Sequence, residues 1–356
     1  MLCYHRALRL AAACSVLAFA PMANAQTVEQ VAAQTLKPPA ADAAASQPVY
    51  VPTSLALEAG VPRTPDGHPD FQGAVWAANY FPVFEATPMS TKLVVSEAEG
   101  KNMIDMMVKG FLSNPDPNLK IDPEVDGLLG GSDGLPLVRG ERRTRMVVLP
   151  ATGKLPLTPE ARKEVSAASP FGNGKVNADN PEQRPLGERC IVLNGQPPFA
   201  TPIGYSRFEI IQTPTQVVIH SEQGDELRIV SFADTHKPQV QPSYFGNSIA
   251  RWDGDTLVVE TKDQPARTRL RTLPSFIVNA DSTVIERFTR VSNDELLYQF
   301  SVVDPAVYTA PWLAEYSFHK ASNRMFESSC HEANYSLPNI LSGARVADTR
   351  GAAAKN

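Results

Sequence analysis

The second half of the chain alternates between apolar and polar residues in short runs, which is typical of β-strands. The clearest run covers residues 295–303. Its two faces carry Leu296, Tyr298, Phe300 and Val302 on one side, and Leu297, Gln299, Ser301 and Val303 on the other. Because both faces carry apolar groups, we expect both to be covered. The pattern predicts a mainly β fold over residues 181–350: an antiparallel up-and-down, lipocalin-like barrel, or a sandwich.

Turn signals between these runs predict a series of hairpins. The sharpest is Asp253-Gly254-Asp255, because Asp-Gly favours the tight turn of a two-residue hairpin loop. It joins predicted strands at 248–252 and 256–261. Further turns are predicted at 213–215, 223–225, 292–294 and 321–323.

Residues 51–180 are rich in Pro and Gly and have weak periodicity. We expect an irregular segment that wraps the outside of the β domain and holds two short helices. Ser96 and Glu99 form a capping box for a helix that ends near Leu112. Thr158 and Pro159 open the other helix as N-cap and first residue. A further short helix is predicted over 334–345, with Gly343 as its stop.

The first 25 residues have the pattern of a secretory signal peptide. Arg6 and Arg9 supply the positively charged start, an apolar run covers residues 8–20, and Ala23-Asn24-Ala25 supplies the small residues of a cleavage site. The run is too short to span about 30 Å of hydrocarbon comfortably. We therefore expect a periplasmic or secreted protein with no membrane insertion after cleavage. Residues 26–50, mainly Ala, Gln, Pro and Ser, are predicted to be a flexible leader.

The net charge of the mature chain limits the kinds of partner that it can bind. Loss of the signal segment leaves 31 basic and 38 acidic side chains, so a nucleic-acid partner is not expected.

The mature chain keeps only Cys190 and Cys330. In an oxidising compartment they predict one disulfide, with two buried free thiols as the alternative. Since these cysteines bracket the predicted β region, the disulfide would join the first and last strands.

The sequence contains no standard nucleophile or phosphate-loop motif, and we predict no cofactor. The mature histidines are scattered, so no metal site is predicted; they are His68, His220, His236, His319 and His331.

Two strand positions are candidates for acid–base chemistry. His220 and Glu222 are two residues apart, and strand alternation would place them on one face. The alternative is a polar pair at a strand end. Glu286 shares a face with Val284 and Phe288, so it is predicted to point inward. It could be a general base with a raised pKa, or be salt-bridged to a neighbouring strand.

The segment next to Cys330 is a second candidate site. His331 and Glu332 are predicted catalytic residues there, with Asn334 as a binding residue, because the disulfide would hold them rigidly. The alternative is that these groups satisfy backbone atoms where the last strand ends.

Further residues are predicted to contact the ligand. Arg251, beside Trp252, would line a barrel mouth, although packing is the alternative for the Trp. Tyr298 and Trp312 would line an internal cavity.

Several segments resemble those of a broad group of exported bacterial proteins. They are TPDGHPDFQGAVW at 64–76, RWDGDTLVVET at 251–261, ERFTR at 286–290, DPAVYTAPW at 304–312 and CHEAN at 330–334. The resemblance implies an exported, disulfide-linked β protein, and it brings no particular reaction with it.

These observations support three hypotheses. The first is an exported hydrolase or lyase that acts on a small aromatic or glycosidic substrate in a barrel cavity, using carboxylate and His groups. The second is a noncatalytic periplasmic carrier of a small apolar ligand. The third is a structural or interaction protein of the envelope. The sequence leaves the oligomeric state open.

Overall fold

A computed structural model describes most of the chain after residue 56. The described residues are 57–78, 80, 83–88, 90–112, 134–168, 178–184, 186–193, 195–200, 206–238, 241–265, 268–269, 276–332 and 334–353. The predicted signal peptide (1–25) and leader (26–50) lie outside them.

The described residues form fifteen strands and three α-helices. The strands are β1 (Trp76–Ala78), β2 (Val94–Val95), β3 (Leu137–Val138), β4 (Glu141–Arg143), β5 (Val147–Leu149), β6 (Ser206–Gln212), β7 (Gln216–Ser221), β8 (Glu226–Phe232), β9 (Asn247–Asp253), β10 (Thr256–Lys262), β11 (Thr268–Arg269), β12 (Ile277–Val278), β13 (Thr283–Arg290), β14 (Glu295–Val303) and β15 (Leu313–Lys320). The helices are α1 (Glu97–Leu112), α2 (Pro159–Ala168) and α3 (Ser336–Ala353).

Nine of these strands close into a barrel, in the order β1-β6-β7-β8-β9-β10-β13-β14-β15, with β1 also paired to β15. The predicted mainly β fold and barrel are therefore confirmed. The barrel is mixed rather than purely antiparallel, because β8 and β9 run parallel. A parallel pair needs a crossover of a dozen or more residues, and residues 233–246 supply it.

The disulfide is present, but its predicted place in the fold is wrong. Cys190 and Cys330 are bonded, with their Cα atoms 5.7 Å apart. Both lie in turns outside the strands, Cys190 before β6 and Cys330 after β15. The barrel is instead closed by β1, because its backbone pairs with β6 on one side and β15 on the other. A strand from the N-terminal part thus separates the two strands that the disulfide was expected to join.

The barrel interior is filled by side chains. One of the two predicted faces of β14 points inward: Leu296, Tyr298, Phe300 and Val302 all belong to the main core cluster. Phe199, from the segment that precedes β6, lies among their rings. It stacks on Phe208 at 5.0 Å and meets Tyr298 edge-on at 5.9 Å. Its backbone N–H donates to the Tyr298 hydroxyl at 2.8 Å, and its carbonyl accepts from the Tyr316 hydroxyl at 2.9 Å.

A charge pair crosses this interior. The Arg228 guanidinium of β8 donates to both carboxylate oxygens of Glu286 of β13, at 3.2 and 2.5 Å. The Tyr298 hydroxyl donates to the same carboxylate at 2.7 Å. The pKa of Tyr298 is raised well above its usual value, first by burial and then by the Glu286 carboxylate. Burial of a charge is tolerated only when it is paired in this way.

The N-terminal segment covers part of the outer face of the barrel. Val138 of β3 packs against Val291 and Leu297. The buried Arg143 side chain of β4 lies 3.6 Å from Glu315 of β15. These contacts explain why the outward residues of β14 are apolar or buried.

The predicted helix starts are confirmed. The Ser96 hydroxyl accepts from the Glu99 N–H at 3.2 Å, and the Glu99 carboxylate accepts from the Ser96 N–H at 2.9 Å. Thr158 caps α2 by accepting from the Ala161 N–H at 3.3 Å. The predicted stop at Gly343 is wrong, because α3 continues to Ala353. A Gly in a helix interior lowers stability by only about 1 kcal/mol, which the surrounding helix formers can offset.

Removal of one partner of the internal ion pair should be strongly destabilising. Arg228→Met leaves the Glu286 carboxylate buried and uncompensated, so we expect a loss of about 3–5 kcal/mol in the free energy of unfolding. The double variant Arg228→Met, Glu286→Gln should recover part of this loss, since no buried charge then remains. Urea denaturation followed by circular dichroism measures both. A double variant as unstable as the sum of the two singles would contradict the direct pairing.

Candidate functional site

An open cleft lies on the outer face of the barrel, where the β8–β9 crossover passes beside β9 and β10. It encloses about 620 Å³. Ile249 and Val258 line it together with charged residues from the crossover and from the two strands, namely Asp234, His236, Lys237, Arg251, Glu260, Lys262 and Asp263. The parallel step in the barrel therefore produces the cleft, because it requires the long connection that forms one wall.

A buried carboxylate in the cleft is held by a His and a Lys side chain. Glu260 Oε1 is 3.1 Å from His236 Nε2 and 2.8 Å from Lys262 Nζ. Burial acts to raise the pKa of Glu260, but hydrogen bonds and charge from His236 and Lys262 outweigh it, and the net pKa is lowered. Glu260 therefore remains a carboxylate at neutral pH. The His236 Nδ1 atom is buried and has no hydrogen-bond partner among the described residues.

Arg251 belongs to the same cleft. It lies opposite Val258 in the β9–β10 pair, on the outer face, whereas Trp252 points inward. Trp252 stacks on His68 with ring centroids 4.3 Å apart, which accounts for it by packing. Arg251 Nη2 is buried and, within the described part of the chain, has no hydrogen-bond partner. Arg251 was predicted to bind a ligand at a barrel mouth; the structure places it on the barrel wall instead.

The predicted strand pair His220 and Glu222 does not form. β7 ends at Ser221, and Glu222 has helical backbone angles, so strand alternation no longer applies to it. His220 instead contacts Asp225 at 2.7 Å. Glu222 accepts from Arg207 at 3.3 Å and from the Phe326 N–H at 3.1 Å.

The residues near the disulfide lie at the surface. His331 and Glu332 are exposed in a turn after Cys330. The Asn334 amide donates to the Glu188 carbonyl at 3.0 Å, so it ties the turn to the segment before Cys190. This is the backbone role that was the alternative for this segment.

The structure does not bring the predicted catalytic residues His220, Glu286, His331 and Glu332 together at one site. Glu286 is fully buried inside the barrel, whereas the His220 side chain is on the outer face of β7 and the other two are exposed beyond β15. Inward and outward positions are separated by the sheet itself, because strand side chains alternate between its faces.

Tyr298 and Trp312 are packed rather than arranged around a cavity. The Tyr298 hydroxyl donates a hydrogen bond to the Glu286 carboxylate and accepts one from the Phe199 N–H. Trp312 is fully buried and lies against Phe84, Phe276 and Phe300, with ring centroids 5.8–6.2 Å apart. Their predicted role in lining an internal ligand cavity thus has no support in this packing.

The sequence interpretation missed His236, Glu260 and Lys262. The Asp253-Gly254-Asp255 turn sets the register of β9 and β10, which places Arg251, Val258 and Glu260 on one face. These three positions of the cleft could therefore have been predicted from the hairpin register. The position of His236 could not have been predicted in this way, because it lies in an irregular crossover whose path depends on the tertiary structure.

Among the described residues, no group of three or more His, Cys, Asp or Glu side chains is arranged to hold a metal ion. No helix there combines the length and apolar character needed to cross a membrane.

No protein-family model matches the chain, and neither a curated protein nor a solved structure matches it.

The lowered pKa of Glu260 predicts a pH-dependent contribution to stability. Its stabilising effect should be complete above the unfolded-state pKa of about 4.3 and be lost as the pH falls through the lower folded-state value. Wild-type protein should therefore exceed Glu260→Gln in free energy of unfolding at pH 6, and the difference should shrink towards pH 3. Urea denaturation across this range measures it. The exposed Glu332→Gln is the control, and a Glu260→Gln difference that does not change with pH would contradict the assignment.

Proposed function

We propose that this exported protein binds a small organic anion in the outer cleft. The observation that carries the proposal is Arg251 of the cleft lining, because its buried Nη2 atom has no acceptor among the described residues. The buried carboxylate of the cleft, Glu260, is already engaged by His236 and Lys262. Buried donors usually have a partner, so an acceptor supplied by a ligand fits this site.

Asp263 of the cleft is engaged within the protein. It accepts from the Asn247 side chain at 3.1 Å, and the same amide donates to the Lys237 carbonyl of the crossover at 2.7 Å. The volume lies within the range of about 300–1,000 Å³ that is usual for small-molecule sites. An apolar floor of Ile249 and Val258 suits the hydrocarbon part of such an anion.

The outer cleft supports binding better than the barrel interior does. The interior is occupied by packed rings, by Phe199 and by the Arg228–Glu286 pair. A carrier or enzyme that uses the interior would have to expel these groups first.

Arg251→Gln should weaken anion binding. Loss of a hydrogen bond between charged groups is worth about 1.5–3 kcal/mol, which corresponds to a dissociation constant raised about tenfold or more. Isothermal titration calorimetry of the mature protein with aryl and alkyl carboxylates, sulfonates and phosphate esters measures the effect.

The matched control for this experiment is Arg345→Gln, which removes the same charge from α3, outside the cleft. It should leave the dissociation constants unchanged. Failure of the wild-type protein to bind any anion of the panel would refute the proposed function. Equal affinities for wild type and Arg251→Gln would remove Arg251 from the site.

A second candidate function is acid–base catalysis in the same cleft by an exported hydrolase or lyase. The hydrogen bond between Glu260 and His236 Nε2 favours it, because a carboxylate that orients a His is a recurring part of such sites. In this arrangement Glu260 holds the imidazole, and Nδ1 is the nitrogen left to exchange a proton with a substrate.

If the cleft is catalytic, His236→Gln should lower turnover by about 100-fold or more, since general acid–base catalysis contributes about that factor. Binding of the same ligand should change only slightly. Incubation of each bound ligand with the wild-type protein or with His236→Gln, followed by NMR detection of products, measures turnover. If no bound ligand is converted by the wild-type protein, the binding function stands without the catalytic one.

A further inference from the structure

Two arginines flank the floor of the cleft. Val258 of β10 pairs with Arg251 of β9 on one side and with Arg287 of β13 on the other. Directly paired residues in a sheet place their side chains on the same face. Arg251, Val258 and Arg287 therefore form a row across three strands of the outer face, next to the cleft that Arg251 and Val258 line.

The Arg287 side chain extends towards Arg251. Its Nη2 atom donates to Asp253 Oδ2 at 2.8 Å, so the side chain crosses β10 to reach β9. Asp253 is two residues from Arg251 on the same strand and shares its face. The Arg287 guanidinium group is consequently held over the strand that carries Arg251.

Both arginines have donors without acceptors. The Arg287 side chain is only 7% exposed, and its Nε and Nη1 atoms have no hydrogen-bond partner among the described residues. The Arg251 Nη2 atom has none there either. Asp253 satisfies a single nitrogen of Arg287, and Glu260 is occupied by His236 and Lys262. Three arginine nitrogens on this face of the sheet thus have no acceptor among the described residues, and Asp253 contacts only Arg287 of the two arginines there.

We propose that Arg251 and Arg287 form a subsite for a tetrahedral dianion, the phosphate or sulfate-like head of the ligand. This inference rests on the proposed function and specifies its ligand class. Guanidinium groups match the oxygens of a phosphate with parallel hydrogen bonds. A carboxylate offers two oxygens and one charge, whereas a phosphate monoester offers three terminal oxygens and up to two charges, which suits two arginines better.

The test compares two probes that share an aromatic ring, phenyl phosphate and benzoate, at pH 8. The second pKa of a phosphate monoester is about 6, so the phosphate is a dianion there. The wild-type protein should bind phenyl phosphate at least tenfold more tightly than benzoate. Arg287→Gln should remove this preference, with phenyl phosphate binding weakened at least tenfold and benzoate binding nearly unchanged.

Two further variants keep the test decisive if Arg287→Gln does not fold. Asp253→Asn leaves both arginines in place and removes the competing carboxylate charge, so phenyl phosphate binding should become tighter. Arg287→Lys keeps the charge and loses the parallel hydrogen bonds, so an intermediate affinity is expected. Arg345→Gln is again the control for a general charge effect, and circular dichroism confirms folding of each variant.

The outcomes separate this inference from the function on which it rests. If the wild-type protein binds benzoate as tightly as phenyl phosphate, or if Arg287→Gln and Asp253→Asn bind phenyl phosphate as the wild type does, the dianion subsite is refuted while anion binding stands. If the wild type binds neither probe nor any other anion of the panel, both proposals fall.

Discussion

The internal contact between Arg228 and Glu286 is the constraint on which much of the barrel depends. The two residues belong to β8 and β13, which are not neighbours in the sheet, and the pair is sealed from water. Two opposite charges can remain inside an apolar barrel only while each has the other. Tyr298 connects this pair to the backbone of Phe199, so the segment before β6 is held inside by the same network. The interior is consequently a packed core with a polar centre.

Because the interior of the barrel is filled, the candidate site lies on the outer face of the barrel. The parallel pairing of β8 with β9 requires a crossover, and the crossover stands away from the outer face far enough to leave a cleft. The charged residues there come from both the crossover and the strands beneath it. Glu260 is paired there with His236 and Lys262, whereas Arg251 of the cleft and Arg287 on the adjacent strand have donors without an acceptor in the described part of the chain.

Prediction succeeded where a residue's environment follows from its neighbours along the chain. The alternation over residues 295–303 identified the two faces of β14, one of which fills the core, and the predicted inward orientation of Glu286 is confirmed. Prediction failed where the alternation rule was applied beyond the end of a strand. Glu222 lies one residue beyond β7, so its predicted partnership with His220 disappears. His331 and Glu332 were predicted to form a site because the disulfide would hold them rigidly, but the disulfide joins two turns and both side chains are exposed.

The sequence by itself determined the mainly β fold, the faces of the central strands, the helix caps and the disulfide partners, because alternation, capping and cysteine count are local or compositional properties. The tertiary structure alone decided the closure by β1, the parallel step, the internal ion pair and the position of His236 beside Glu260. These depend on which distant segments meet: Arg228 and Glu286 are 58 residues apart, and His236 and Glu260 are 24 apart. No local pattern carries that information, since the register of such contacts is fixed only when the barrel closes.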